Sequence, residues 1–75
     1  MNAVSAVAIG AYAVDTHTGR VGVVMDTEGP YVQLRPLGGG LEWDCEPEAV
    51  RIATPTERIS AVNAYANARS RGEVL

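Results

Sequence analysis

The sequence predicts a mostly β fold, a small five-stranded antiparallel barrel followed by a C-terminal α-helix. Three observations carry this prediction. Apolar and polar residues alternate in short runs at 11–15, 20–27, 30–36, 41–45 and 49–53, as expected of strands that bury one face. Turn-forming residues separate the runs. The segment "TPTE" at 54–57 then has the composition of a helix start.

The length of 75 residues is sufficient for one domain with a modest core. We predict an apolar lead-in or extra edge strand over residues 1–10, the barrel over residues 11–53 and the helix over residues 54–72. Any strand in the lead-in is expected from about Ala8. The apolar start lacks the positive charge of a signal peptide and the length of a membrane span.

Loops at 16–19, 28–29 and 38–39 fix the predicted register, because each of them pairs apolar residues with apolar residues on one face. Across the second loop, Val23 is expected opposite Leu34 and Met25 opposite Val32. The resulting inward set is Tyr12, Val14, Val21, Val23, Met25, Val32, Leu34, Trp43, Val50 and Ile52.

The three glycines at 38–40 could either hold a phosphate or turn the chain. A phosphate-binding loop leads from a strand into a helix and, in its mononucleotide form, carries a lysine. Here the glycines precede a predicted strand, and all six basic residues are arginines. We therefore predict a tight turn with positive φ angles.

The terminal helix is predicted from Pro55 to about Ser70. Thr54 is the expected N-cap, Glu57 can reach back to the cap amide, and Gly72 is the expected stop. Its apolar stripe is Ile59, Val62 and Ala66, flanked by Tyr65. A one-turn helix is expected around Pro47, before the fifth strand. Five short strands, a one-turn helix and a terminal helix together describe an SH3-like barrel.

The stretch 19–55, "GRVGVVMDTEGPYVQLRPLGGGLEWDCEPEAVRIATP", resembles small uncharacterised actinobacterial proteins with an SH3-like fold and no established activity. Its first hairpin, "GRVGVV" at 19–24, is also similar to that of KOW and PRC-barrel modules. KOW modules contact RNA or the transcription and ribosomal machinery through basic loops. In this sequence the corresponding loops carry His17, Glu28 and glycines, so the resemblance implies the fold more than that function.

The charge distribution and the reactive side chains limit the classes of function that the sequence fits. The net charge is −3, with the acidic residues concentrated at 26–48 and arginines at 49–75, which disfavours nonspecific nucleic-acid binding. The lone Cys45 cannot form an intrachain disulfide, which favours a cytoplasmic location. We expect Cys45 to be a small buried thiol, His17 a solvated turn residue and Trp43 the main core filler. The alternating acidic residues at 42–48 are expected to form a solvated face, so no catalytic residue, metal or cofactor is predicted.

The predicted function is that of a non-enzymatic protein-interaction module with a regulatory or accessory role. The alternative is a nucleic-acid- or ribosome-associated KOW-like barrel. Binding is assigned to the outward face of strands two to four, with Gly22 opening space beside it, and its residues are Val24, Tyr31, Gln33 and Arg35. The competing interpretation places the helix over this face, with Tyr31 packed on Ile59 and Val62. We expect a protein partner, a homodimer included, and neither a nucleic acid nor a membrane.

Overall fold

The computed structural model describes residues 7–27, 29–70 and 72. They form a sheet of five antiparallel strands and one long α-helix, which confirms a mostly β fold with a C-terminal helix. The elements are β1 (Tyr12–Asp15), β2 (Arg20–Asp26), β3 (Val32–Pro36), β4 (Trp43–Cys45), a one-turn 3₁₀ helix (Pro47–Ala49), β5 (Val50–Ile52) and α1 (Pro55–Ser70).

The strand order is β4-β3-β2-β1-β5, so β4 and β5 are edge strands and the sheet is open. The sheet nevertheless curls strongly. Along a flat sheet β4 and β1 would lie about 14 Å apart, yet the indole Nε1 of Trp43 in β4 donates a hydrogen bond to Asp15 Oδ2 in β1 at 2.9 Å. The curl encloses one face of the sheet, called the core face below; the opposite face is called the outer face.

The register is as predicted on both sides of the central hairpin. In the first hairpin, Val14 lies opposite Val21 across the four-residue loop 16–19. In the third, Leu34 lies opposite Trp43. These loops have local signals, a Thr-rich turn ending in Gly19 and the glycine run, which fix the pairing.

The predicted register between β2 and β3 is wrong by one residue. Leu34 pairs with Val24 rather than Val23, and the register shifts again between Val24 and Asp26. The connection is longer than the predicted two-residue loop, since β2 ends at Asp26 and β3 begins at Val32. The irregularity at Met25 is a β-bulge, in which one extra residue of a strand is left unpaired.

This shift changes which residues form the core. The buried cluster consists of Val7, Ala13, Val24, Val32, Leu34, Cys45, Ala49 and Val50, with Trp43 packed against it. Three residues of the predicted inward set, Val32, Leu34 and Val50, are confirmed as part of this cluster, and a fourth, Trp43, packs against it as predicted. Directly opposed residues share a face of the sheet, so Val23, which pairs with Arg35 and Tyr12, lies on the outer face. The predicted inward positions of Tyr12, Val14, Val21 and Val23 are therefore wrong, although Val14 is buried on the outer face. Ile52 lies opposite the buried Ala13, on the core face as predicted, but in the edge strand β5 it is 47% exposed.

The helix begins with the predicted capping box. Thr54 Oγ1 accepts a hydrogen bond from the Glu57 amide at 3.1 Å, and Glu57 Oε1 accepts one from the Thr54 amide at 2.9 Å. The helix ends at Ser70, and Gly72 follows with a positive φ of 75°. Both predicted signals are confirmed.

The helix crosses the outer face with a different side from the one predicted. Its half-buried residues are Glu57, Ala61, Tyr65 and Ala68. Ile59 and Val62 of the predicted stripe are 60% and 40% exposed. The first turn is fixed by two hydrogen bonds from Arg51 to Glu57, at 2.7 and 2.6 Å. Because these bonds fix the orientation of the first turn, Ala61 and Ala68 rather than Ile59 face the sheet.

The glycine run turns the chain and also seats the helix. Gly39 N–H donates to Pro36 O at 3.0 Å, and Gly38 and Gly39 have φ of 84° and 94°. A side chain at Gly38 would overlap the Tyr65 ring of α1. The predicted turn with positive φ is therefore confirmed, although the connection from Pro36 to Trp43 is longer than a two-residue hairpin loop.

The lead-in is described from Val7, which is buried in the core. Residues 8–11 form a turn, closed by a hydrogen bond from the Ala11 amide to Ala8 O at 3.0 Å, rather than the predicted strand. Residues 1–6 of the predicted lead-in lie outside the described residues. Within the described part of the chain, no helix combines the length and the apolar content needed to cross a bilayer.

Candidate functional site

The structure brings three of the four predicted binding residues together. Gln33 and Arg35 alternate along β3 on the outer face, and Tyr31 directly precedes the strand. Gln33 Nε2 donates to Asp44 Oδ1 at 3.1 Å, and Arg35 Nη2 donates to Glu42 Oε2 at 2.8 Å. The Tyr31 side chain is 45% exposed. We refer to Tyr31, Gln33 and Arg35 as the β3 surface.

The fourth predicted residue, Val24, does not belong to this surface. It is fully buried on the core face, opposite Leu34. The prediction placed it beside Gln33 because the two-residue loop implied a register one residue away from the real one. Burial removes Val24 from contact with a partner.

Gly22 is buried as well, and its missing side chain serves the fold. A Cβ atom there would lie 2.8 Å from Trp43 Cη2 and 2.9 Å from the Arg35 carbonyl oxygen. The glycine thus makes room for the Trp43 indole on the core face. The expectation that it opens space for a partner on the outer face is wrong.

The helix occupies only part of the outer face. It lies over β1 and β2, where a groove beside it is lined by Val14 and Val21. Tyr31 is 45% exposed, and Ile59 and Val62 are 60% and 40% exposed, values too large for Tyr31 to be packed between them and the sheet. The helix therefore packs on the outer face, as the competing interpretation expects, but it covers β1 and β2 rather than the β3 surface. The half-buried side chains of the helix are Glu57, Ala61, Tyr65 and Ala68, not Ile59 and Val62.

The end of β1 carries a buried carboxylate network that the sequence pattern does not predict. Asp15 is 4% exposed. Its Oδ2 accepts a hydrogen bond from Trp43 Nε1, and its Oδ1 accepts one from the His17 amide, both at 2.9 Å. Removal from water raises the pKa of the Asp15 carboxyl, but hydrogen bonds from Trp43, the His17 amide and Cys45 outweigh this and hold the pKa below its ordinary value of 3.8.

One part of this network has a local sequence signal. An aspartate at a strand end, followed by a turn, commonly accepts a hydrogen bond from the amide two residues on, as Asp15 does from His17. The bond from Trp43 joins residues 28 positions apart. Such a contact depends on the curl of the sheet, which the alternation of residues does not encode.

Cys45 is the small buried thiol that the sequence predicts, and it lies opposite Val32 in the core. Burial, together with the charge of and a hydrogen bond to Asp15, raises the pKa of the Cys45 thiol to about 11. Because the thiolate is the nucleophilic form, the raised pKa disfavours the reactive form of Cys45 near neutral pH.

His17 and the acidic residues of the segment 42–46 contact different partners. His17 Nε2 is 3.4 Å from Glu46 Oε1, and both side chains are largely exposed. Asp44 and Glu42 bond to different residues of the β3 surface. Among the described residues, no group of three histidine, cysteine, aspartate or glutamate side chains could hold a metal ion.

Comparison with protein families and with individual proteins gave no match: no family model matches the sequence, and neither a curated protein nor a solved structure matches it significantly. Function is therefore inferred from the chain's own surface chemistry. The β3 surface combines an aromatic ring, an amide and a guanidinium at β3, the strand next to the edge strand β4.

Proposed function

We propose that the chain is a non-enzymatic protein-interaction module, regulatory or accessory in role, which acts in the cytoplasm. We further propose that its sheet is an SH3-like barrel of the kind found in the actinobacterial proteins it resembles. The strand order β4-β3-β2-β1-β5 and the one-turn helix directly before β5 support the barrel assignment. The lone Cys45 supports the cytoplasmic location.

The observation that carries the proposal is the β3 surface. Tyrosine and arginine are enriched among the residues that dominate binding energy at protein interfaces. Here their neighbourhood is already ordered, because Arg35 and Gln33 are held by Glu42 and Asp44 across the strand pair. Fixing these side chains before binding lowers the entropy lost when a partner docks.

The state of the reactive groups supports a role without catalysis. The pKa of about 11 keeps the Cys45 thiol protonated, chiefly because the group is buried. The His17 side chain is exposed, and its Nε2 lies 3.4 Å from Glu46 Oε1. General base catalysis requires an oriented base within hydrogen-bonding reach of a nucleophile, and the exposed loop around His17 supplies no such arrangement among the described residues.

The test is capture of a partner from the native cell by tagged protein, comparing Arg35→Glu with the wild type. Reversal of this charge is expected to abolish capture. The folded state should lose at most about 1 kcal/mol, the effect of like charges opposed across two strands. The matched control is Arg69→Glu, which makes the same charge change on the exposed end of the helix. Tyr31→Ala should weaken capture in the same way without a core cavity.

Two results would contradict the proposal. If Arg35→Glu lowers the melting temperature strongly and leaves capture intact, the β3 surface serves the fold. If the wild-type protein instead elutes from heparin in a salt-dependent manner, the KOW-like nucleic-acid alternative is favoured, because counterions compete with such binding.

Association with a second copy is part of the same proposal. Ile59 and Val62 leave an apolar stripe of α1 exposed, and burying it in a dimer would stabilise a small domain. Light scattering should give a mass above the 7.9 kDa of one chain that rises with concentration. A mass of one chain at all concentrations up to millimolar protein would exclude the homodimer.

A further inference from the structure

The outer face of the sheet has a covered half and an open half. The helix α1 lies over β1 and β2, and a helix with its side chains is about 10–12 Å thick. Beside it, the β3 surface is open, with Tyr31 and Arg35 both exposed. The outer face therefore has a step, about one helix thick, between α1 and the β3 surface.

The exposed stripe of α1, formed by Ile59 and Val62, is turned away from the sheet that the helix covers. Ala61 is half-buried against that sheet. Residues two positions apart in an α-helix point about 160° away from each other, so Ile59 lies almost opposite Ala61 around the helix axis. Ile59 and Val62 are 60% and 40% exposed. The stripe is thus placed where a second layer, stacked on the outer face, would cover it.

Two copies whose outer faces meet would interlock through these steps. A two-fold axis that runs between α1 and the β3 surface brings the helix of each copy over the β3 surface of the other, so the same contact is made twice. The two helices then lie side by side between two sheets. The Tyr31 ring, 45% exposed in one chain, gains contact with Ile59 and Val62 of the second copy.

The β3 surface has one negative charge that is not compensated. Arg35 is bonded to Glu42 at 2.8 Å, so these two charges offset each other. Asp44 accepts a hydrogen bond from the neutral amide of Gln33. Within the described part of the chain, no cationic group lies within ion-pair distance of Asp44. A cation on the surface that docks here would pair with this carboxylate.

The stripe of α1 carries the complementary charge. Arg58 directly precedes Ile59, and its guanidinium carbon lies 4.9 Å from the centroid of the Tyr12 ring. Among the residues that the structure describes, no carboxylate is within ion-pair distance of Arg58. A dimer that joined stripe to stripe would bring the two copies of Arg58 together. Contact between the stripe and the β3 surface instead brings Arg58 near Asp44 of the second copy, and opposite charges favour this pairing.

We propose that the partner of the β3 surface is the α1 stripe of a second copy of this chain, in a two-fold dimer. Arg58 of each copy pairs with Asp44 of the other, and Ile59 and Val62 pack on Tyr31. This inference rests on the proposed function of the β3 surface as a binding surface, and it names the partner.

Two charge reversals test the pairing, with self-association measured by sedimentation velocity at low salt. Arg58→Glu and Asp44→Arg should each weaken self-association at least about tenfold, because each places like charges in both contacts of the dimer. An equimolar mixture of the two variants should associate as the wild type does, to within about threefold, since both contacts of the mixed dimer again join opposite charges.

Arg69→Glu is the matched control. It makes the same charge change on an exposed residue of the same helix, about 16 Å along the axis from Arg58, and should leave self-association unchanged. Circular dichroism establishes that each variant is folded. Ile59→Ala should weaken the dimer without lowering the stability of the monomer, because the side chain is exposed in one chain.

The inference is wrong if the wild type stays monomeric up to millimolar protein, or if the two reversals associate no better in mixture than alone. It is also wrong if Asp44→Arg associates as the wild type does while Arg58→Glu associates most strongly with the wild type, since the stripes would then meet each other. A monomeric wild type whose capture of another protein is abolished by Arg35→Glu would overturn this inference and leave the proposed function of the β3 surface intact.

Discussion

Replacing Gly38 by alanine is expected to loosen the C-terminal half of α1 from the sheet. Two costs add at this position. Gly38 has a φ of 84°, and the left-handed conformation costs about 1–2 kcal/mol for a residue with a Cβ atom. The new methyl group would also overlap the Tyr65 ring, and overpacking or the loss of that contact costs about 1–3 kcal/mol.

Gly39 is the matched control for this substitution. It has a φ of 94°, so Gly39→Ala carries the same conformational cost. No atom lies within 4 Å of the position that its Cβ would take, so it carries no packing cost. The free energy of unfolding should therefore fall further in Gly38→Ala than in Gly39→Ala, by about 1–3 kcal/mol.

Urea unfolding, followed by circular dichroism and by the fluorescence of Trp43, measures this difference. Repeating both substitutions in a Tyr65→Ala background completes the cycle. Without the ring, the two glycine variants should differ by less than about 0.5 kcal/mol, since no shared contact then remains. Equal destabilisation by both glycine substitutions in the wild-type background would refute the docking of Tyr65 on Gly38.

Three further perturbations test the core, the buried carboxylate and the helix start. Leu34→Ala should cost about 2–5 kcal/mol in urea unfolding because Leu34 is fully buried, whereas Leu41→Ala, at a position 90% exposed, should change stability by less than about 0.5 kcal/mol. Trp43→Phe removes one donor from buried Asp15 and should cost about 1–3 kcal/mol. Because the pKa of Asp15 is lowered from 3.8, its stabilising effect is complete above that pH and is lost as the pH falls through the lowered value; thermal melts of Trp43→Phe should depend less on acid pH. Hydrogen bonds from its arginine partner and from a backbone amide lower the pKa of Glu57 from 4.5 to about 2, so the helix stabilisation that Glu57 provides should disappear between those pH values, and melts of Glu57→Gln should lack this component.

Local chemistry made most secondary structure predictable. The capping box is a case in point, because Thr54 and Glu57 bond to each other's amides, as their spacing implies. The first hairpin is another, since a four-residue loop ending in Gly19 sets its register without help from the rest of the chain. For this reason, the strand pairing predicted across two of the three loops is confirmed.

Contacts between residues that are far apart in the sequence could not be predicted from the alternation of apolar and polar residues. The bond from Trp43 to Asp15 requires the sheet to curl across two intervening strands. The side of α1 that meets the sheet was also mispredicted, because apolarity alone ranks Ile59 and Val62 above alanines. The hydrogen bonds from Arg51 to Glu57 orient the first turn instead, and they join elements whose relative position the periodicity does not specify.

The misplaced Val24 has the most specific cause. In β2 the residues 21, 23, 24 and 25 are all apolar, so a shift by one residue still places apolar side chains opposite β3. The alternation of apolar and polar residues then does not distinguish Leu34 opposite Val23 from Leu34 opposite Val24. A bulge near Met25 is compatible with both registers. Only the length of the loop decides, and the dipeptide at 28–29 suggested one that was too short.

That single shift also organises the outer face. With Val24 turned into the core, Val21 and Val23 lie on the outer face beside Tyr12 and Val14, and a sheet that is apolar on both faces needs a second cover. The helix supplies the cover over β1 and β2, with the groove beneath it, while the polar β3 surface stays exposed. In the predicted register, Val21 and Val23 would have faced the core, and α1 would have had a poorer apolar floor. The residue that the structure removes from the proposed interface is therefore the one whose burial creates the floor of the groove.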